Sequence, residues 1–136
     1  MHQQQLTFGP RARGLHDITD AIASVVAASG VETGLAHVFV HHTSASLIIQ
    51  ENADPDVLRD LESFLSRLVP DGDPVFRHTA EGPDDMSAHV KAAITASAQS
   101  IPVTAGTMAL GTWQGIFLWE HRDRATARRI TVTIQG

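Results

Sequence analysis

The stretch TGLAHVFVHHTSASLIIQE, residues 33–51, constrains the fold more than any other part of the chain. It is β-rich, and Val38 and Val40 share one side of a strand with His42, yet the later apolar residues Leu47 and Ile49 have the opposite parity. Strand side chains alternate with a period of two, so one regular strand would turn one of these sets toward water. An extra residue must break the alternation, and a bulge or kink is expected near HHTSAS. Breaks of this kind re-aim side chains and recur beside functional sites.

Helical periodicity accounts for three other segments. HDITDAIASVVAASG places Ile18, Ile22, Val25 and Val26 on one face, with Gly30 as the stop. In NADPDVLRDLESFLSRLVP, Asp54 is the cap, Pro55 suits the first helical position and Asp56 complements the positive end of the dipole. Val57, Leu58, Leu61, Phe64, Leu65 and Leu68 form its apolar stripe. DGDP is a turn, and a third helix is expected from about Asp85 to Ser97, with Met86, Val90, Ala93 and Ile94 inward. Strands are expected around IPVTA, GIFLWEH and ARRITVTIQ, the last with Ile130, Val132 and Ile134 in and Arg129, Thr131 and Thr133 out. GIFLWEH is apolar on both faces, which marks a central strand or one covered by a partner subunit. Strands in runs with about three helices predict an α+β fold, mainly antiparallel, in one domain over residues 1–136.

Composition excludes several functions. A net charge of −5 argues against nucleic-acid binding, because phosphate backbones need clustered Lys and Arg. No apolar run reaches the roughly 20 residues that a membrane span needs, and MHQQQLTFGP lacks the regions of a signal peptide. With no cysteine, thiolate sites and disulfides are ruled out, and the cytoplasm is the expected location. No G-x-G-x-x-G or P-loop follows a strand, so those nucleotide sites have no support. The eight histidines are the one compositional oddity.

Four polar groups carry candidate chemistry. In GPDDMSAHVKAAI, Asp85 and His89 lie one helical turn apart, just outside the apolar stripe, where a carboxylate can orient an imidazole or share a metal with it. The same pattern also suits an ordinary helix start whose acids complement the dipole. His42 ends an apolar strand face, where a buried imidazole is costly unless its nitrogens are paired, and Thr43, Ser44 and Ser46 offer hydroxyls beside it. Surface placement suffices for His37 and His41. In QENADPD, capping accounts for Asp54 and Asp56 but not for Asn52. Glu120 shares a face with Ile116 and Leu118, so it needs a metal or an arginine unless the strand ends before it. Glycines at 111 and 115 allow a tight turn or a close backbone approach. Histidine with carboxylate and no cysteine suits zinc or a harder divalent ion such as magnesium.

HHTSASLIIQENADPDV, EGPDDMSAH and GTWQGIFLWEHR…RRITVTIQG together resemble the YjbQ family of small bacterial and archaeal proteins, from about Leu6 to Gly136. The resemblance implies a compact α+β fold with a β-sandwich-like core, assembled as a homotrimer. Members are named secondary thiamine-phosphate synthases, which join hydroxymethylpyrimidine diphosphate to thiazole phosphate with release of pyrophosphate. Motif by motif, it implies His42, Asp85, His89 and Glu120 as catalytic residues. Thr43, Ser44, Asn52, Gln114, Arg122 and Arg129 become substrate-binding candidates, and His42, His89 and His121 candidate ligands of a divalent metal. Ala53 stands where relatives can carry cysteine, so thiol chemistry is not required there.

On this reading His42, His89 and His121 converge near the kink, with Asp85 or Glu120 close by. Trp113, Phe117 and Trp119 are expected to be covered by another chain. Two functions remain open: a metal-dependent enzyme acting on a small phosphorylated metabolite, and a trimer that binds a metal or metabolite without turnover.

Overall fold

The computed structural model describes residues 1–124 and 126–136. Its elements are β1 (His2–Phe8), β2 (Gly14–Asp17), α1 (Thr19–Ser29), β3 (Thr33–Val40), β4 (Ala45–Glu51), α2 (Pro55–Leu68), α3 (Asp85–Ile94), β5 (Ala98–Thr104), β6 (Thr107–Met108), β7 (Gln114–Glu120) and β8 (Arg128–Gln135). One sheet has five strands in the order β1-β8-β3-β5-β6, and the other has three in the order β2-β7-β4. The described pairings are antiparallel. This is the expected α+β architecture.

The parity reversal is resolved by a change of sheet. β3 ends at Val40 in the larger sheet and β4 begins at Ala45 in the smaller, so the expected kink is a crossing over residues 41–44. Ala36, Val38 and Val40 before it, and Ala45 and Leu47 after it, all face one core. Ile22, Val25 and Val26 of α1, Ile116 and Leu118 of β7, and Ile130, Val132 and Ile134 of β8 complete that core. Burying each such side chain contributes roughly 1.5–3 kcal/mol.

α1 ends as expected, at Gly30 with φ 69°. Asp54 caps α2 by accepting from the Asp56 N–H, and Pro55 is the first helical residue. α2 buries Leu65 with Val69 against Trp119, while Phe64 and Leu68 stay exposed. β7 is the central strand of the small sheet. Its other face is covered within the chain, Phe117 being 2% and Trp119 3% exposed. Of the three aromatics assigned above to an interface, only Trp113, 63% exposed, still lacks cover.

Two expectations fail. α3 stops at Ile94 rather than Ser97, and its buried residues are Asp85, Ser87, Ala88 and Lys91 instead of the apolar stripe. Asp85 and Ser87 tolerate burial because they are bonded, Asp85 to Arg122 and two imidazoles and Ser87 to Asp71. Strands β1 and β2 were not anticipated. β1 lies at a sheet edge with residues 3–5, all glutamine, exposed, so it lacks apolar alternation, and β2 is only four residues long. Among the described residues, no helix is long and apolar enough to cross a membrane.

Candidate functional site

The crossing at 41–44 organises the polar residues. Beyond it Ala45 pairs with Glu120, and before it Val40 pairs with Ile130, so the end of β7 and the start of β8 meet at the crossing. Glu120, 1% exposed, accepts from Arg128 Nε at 2.7 Å and also from Arg128 Nη2, and Arg128 is itself 3% exposed. Arg128 Nη2 donates further to the Ser44 carbonyl at 3.3 Å. The partner that Glu120 required is this arginine, which leaves the carboxylate as a structural ion pair and not a catalytic group.

α3 brings Asp85 and His89 to the same crossing. His89 Nδ1 donates to the Thr43 carbonyl at 2.9 Å. A carbonyl only accepts, so the proton of a neutral His89 is fixed on Nδ1 and its Nε2 carries a lone pair. That Nε2 lies 3.1 Å from Asp85 Oδ2, and His78 Nε2 lies 2.8 Å from the same oxygen. A lone pair facing a carboxylate is repulsive unless a proton or a cation lies between them. These donor atoms of His78, Asp85 and His89 lie within 4.8 Å of one another, and the group could hold a metal ion. Asp85 is 7% exposed on its side chain, His89 32% and His78 50%, so the cluster opens to solvent on the histidine side.

Arg122 holds the carboxylates in place. Its Nη1 lies 3.1 Å from Asp85 Oδ1, its Nε and Nη2 bind Asp84 at 3.1 and 3.2 Å, and Nη2 also donates to the Glu81 carbonyl. Hydrogen bonding from Arg122 lowers the Asp84 pKa to about 2. The guanidinium therefore orients Asp85 and ties down the loop that carries His78, and it is not free for substrate.

Other sequence candidates sit elsewhere. His42 Nε2 accepts the Arg129 N–H at 2.9 Å, so a neutral His42 has no lone pair left for an ion, although it shares a cleft of about 320 Å³ with His89. His121 is wholly buried, with Nε2 on the Ser46 hydroxyl at 2.8 Å. Neither belongs to the ligand group, so the expected convergence of His42, His89 and His121 on one ion gives way to His78, Asp85 and His89. Thr43 and Ser44 contribute backbone carbonyls. Asn52 and Gln114 lie at the far end of β4 and β7, about 20 Å along the strand at 3.3 Å per residue. There Gln114 Oε1 accepts the Gly111 N–H and closes its own turn, and Gly115 approaches the side chains of Thr19 and Asn52. Arg129 presents an exposed side chain near His42.

Sequence reasoning missed His78 and Arg128. His78 lies in a segment without periodicity, seven residues before Asp85, and only the surplus of histidines hinted at it. Arg128 shares the parity of Ile130 and Val132, which was a readable sign that it points inward.

A small two-sheet α+β fold with an imidazole–carboxylate cluster where the chain changes sheets defines the class of protein. The chain belongs to the UPF0047 protein YjbQ-like family, whose profile matches residues 4–136. It is 52% identical to a UPF0047 protein of Synechocystis over 99% of this chain and 92% of the relative. It is 43% identical to the UPF0047 protein YjbQ of Escherichia coli O157:H7 over 99% of this chain and 98% of that one. A crystal structure of an uncharacterized YjbQ/UPF0047 protein from Clostridium acetobutylicum superposes with a TM-score of 0.88 at 37% identity, covering 97% of this chain and 99% of that chain. A YbjQ-like protein of unknown function from Sulfolobus solfataricus reaches 0.90 at 26% identity, over 99% and 96% of the two chains.

Arg128→Leu leaves Glu120 charged and unpaired in the interior and should lower the unfolding free energy by about 3–5 kcal/mol, while Glu120→Leu/Arg128→Leu loses less than that single variant. Urea denaturation measures both, and a fully stable Arg128→Leu protein would return Glu120 to the list of site residues. Burial, with Lys91 and Arg128 adding to it, lowers the His121 pKa from 6.5 to about 3, so the ring is neutral in the fold. The unfolded chain binds that proton below pH 6.5, so this part of the stability is complete above 6.5 and is lost as pH falls toward 3, at up to about 1.4 kcal/mol per unit. His121→Gln should flatten the stability profile between about pH 6 and 4, and an unchanged acid slope would show that the ring titrates freely in the fold.

Proposed function

We propose that the protein is a metal-dependent enzyme acting on a small phosphorylated metabolite, with His78, Asp85 and His89 holding a divalent ion. The observation that carries this is the bond from His89 Nδ1 to the Thr43 carbonyl, which directs the His89 Nε2 lone pair toward the Asp85 carboxylate. A histidine whose second nitrogen is fixed by a carbonyl is the usual arrangement of a metal ligand. Two imidazoles and one carboxylate favour zinc over magnesium, which prefers oxygen donors, and three protein ligands leave a coordination position open.

The reaction suggested by the sequence resemblance is thiamine-phosphate formation. There the bond from the pyrimidine methylene carbon to the diphosphate oxygen breaks, the thiazole nitrogen lone pair forms the new C–N bond, and pyrophosphate leaves with the broken bond's electrons. A bound divalent ion supplies electrostatic stabilisation of that departing charge. Arg129 supplies a guanidinium for a phosphate. Arg122 and Asp84 keep Asp85 oriented throughout. The cytoplasm, where such phosphorylated precursors occur, is the proposed location.

A binding-only role is the second reading, favoured by the engagement of Arg122 and Arg128 in ion pairs, which limits the cations offered to a diphosphate. Metal analysis of purified protein, together with pyrophosphate release from hydroxymethylpyrimidine diphosphate and thiazole phosphate, separates the two. The enzyme reading expects bound zinc. His78→Ala, Asp85→Asn and His89→Ala should each weaken zinc beyond the roughly 10–100-fold cost of losing an outer-shell partner, and should abolish release. Zinc retention without any pyrophosphate release by the wild type would leave the binding role.

We also propose a homotrimer, supported by the resemblance and by exposed apolar side chains at Leu35 and Phe39 on the outer face of the large sheet. Light scattering at micromolar concentration should give a mass near three chains, and a monomer would overturn this.

A further inference from the structure

His42 is held by a contact that fixes its chemistry. The Arg129 backbone N–H, a permanent donor, points at His42 Nε2 from 2.9 Å. Nε2 must therefore present its lone pair, and the proton of the ring lies on Nδ1. That Nδ1 makes no hydrogen bond among the described residues, and it is not one of the chain's buried unpaired atoms. His42 lines a cleft of about 320 Å³ together with His89, Ala45, Ala92, Ala93 and Ser97. The cleft thus combines methyl-lined walls, an imidazole of the candidate metal group and one unspent N–H.

We propose that His42 is a fixed, neutral hydrogen-bond donor, through Nδ1–H, to an oxyanion of phosphate or diphosphate type seated in this cleft. This deepens the reading above and rests on it for the metal, whose candidate ligand His89 also lines the cleft. The surroundings agree with the assignment. Burial, and then the neighbouring Arg128 and Arg129, lower the pKa of the ring, which disfavours the imidazolium form. Arg128 is neutralised by Glu120, and the exposed Arg129 side chain is the cation left beside His42 to favour an anion. A neutral donor also keeps its proton as the ligand arrives, so its role is to bind and orient and not to act as general base or metal ligand.

The geometry distinguishes two conservative substitutions. The amide nitrogen of Asn is bonded to Cγ, as Nδ1 is in histidine, whereas the amide of Gln reaches one carbon further, to where Nε2 stands. His42→Asn can therefore keep the donor and His42→Gln only the acceptor. The experiment titrates zinc-loaded full-length protein with inorganic pyrophosphate by calorimetry, measures zinc affinity separately, and records ring nitrogen NMR correlations of the wild type. His42→Asn should hold pyrophosphate within about threefold of wild type and His42→Gln should lose about tenfold or more, as expected for a hydrogen bond to a charged group. Zinc affinity should stay within about threefold in both, and the wild-type spectrum should show His42 protonated on Nδ1.

A His42 ring protonated on Nε2 overturns the proposal, as does wild-type pyrophosphate affinity in His42→Gln. A tenfold loss of zinc in either variant also overturns it, because His42 is then a ligand. Equal pyrophosphate losses in both folded variants reject the fixed donor. If the wild type binds no zinc, the metal reading fails alone, and the same titration on zinc-free protein decides the His42 assignment. Absence of pyrophosphate binding under both conditions rejects it.

Discussion

The Glu120–Arg128 ion pair is the interaction on which the rest of the structure depends. It joins the last residue of β7, in the small sheet, to the first residue of β8, in the large one, at the place where residues 41–44 pass between the sheets. At 1% and 3% exposure the two charges cannot be solvated separately. Their attraction is less screened than that of a surface pair, and each needs the other to offset its desolvation. Arg128 also binds the Ser44 carbonyl, and Glu120 accepts the Arg122 N–H. The crossing and the Arg122 clamp on Asp84 and Asp85 are thereby located from one point.

That dependence explains why catalytic-looking residues turn out structural. Glu120 and Arg122 both have the types expected of an active site, yet each spends its hydrogen-bonding capacity inside the protein. On the solvent side of the clamp, the His78 and His89 nitrogens share Asp85 Oδ2, and Nδ1 of His42 has no partner among the described residues. A carboxylate oriented by a guanidinium on one oxygen and flanked by imidazoles on the other is held in place in advance, so an ion bound there would cost little ordering entropy.

Much of the fold was legible because periodicity reports burial. The α1 face, the Asp54–Pro55 start of α2 and the alternation of β8 follow from local physics, and the parity switch between Val40 and Leu47 located the sheet crossing. α3 was misread because its inward face is polar: hydrophobicity cannot foresee that Asp85 and Ser87 are buried by virtue of partners distant in sequence, such as Arg122 and Asp71. Lys91, wholly buried and without a hydrogen-bond partner among the described residues, lies further still from any pattern-based expectation. At the site, Asp85 and His89 were readable from their one-turn spacing, whereas His78 enters from an aperiodic loop whose course is set by tertiary bonds such as Arg122 to the Glu81 carbonyl. For Glu120 the sequence left open whether the strand ends before it; β7 runs through it and turns it inward, and the same parity on the next strand points Arg128 toward it.

The kink that resolves the parity conflict also creates the chemistry. Residues 41–44 belong to neither sheet, and although Ser44 continues the β4–β7 register through His121, the Thr43 carbonyl is not consumed by a strand ladder. A backbone acceptor left over at a crossing must find a donor, and Thr43 finds His89 Nδ1 while Ser44 finds Arg128 and the His121 N–H. The first of these fixes the tautomer of His89, and the adjoining Arg129 N–H does the same for His42. Two imidazoles that line one cleft are thus fixed by backbone groups, His89 with its lone pair turned to Asp85 and His42 with its proton on Nδ1. A register shift that straightened 41–44 into β3 would withdraw the carbonyl from His89 and turn either Val40 or Leu47 out of the core. The fold and the candidate site therefore share one cause, and neither can be changed there alone.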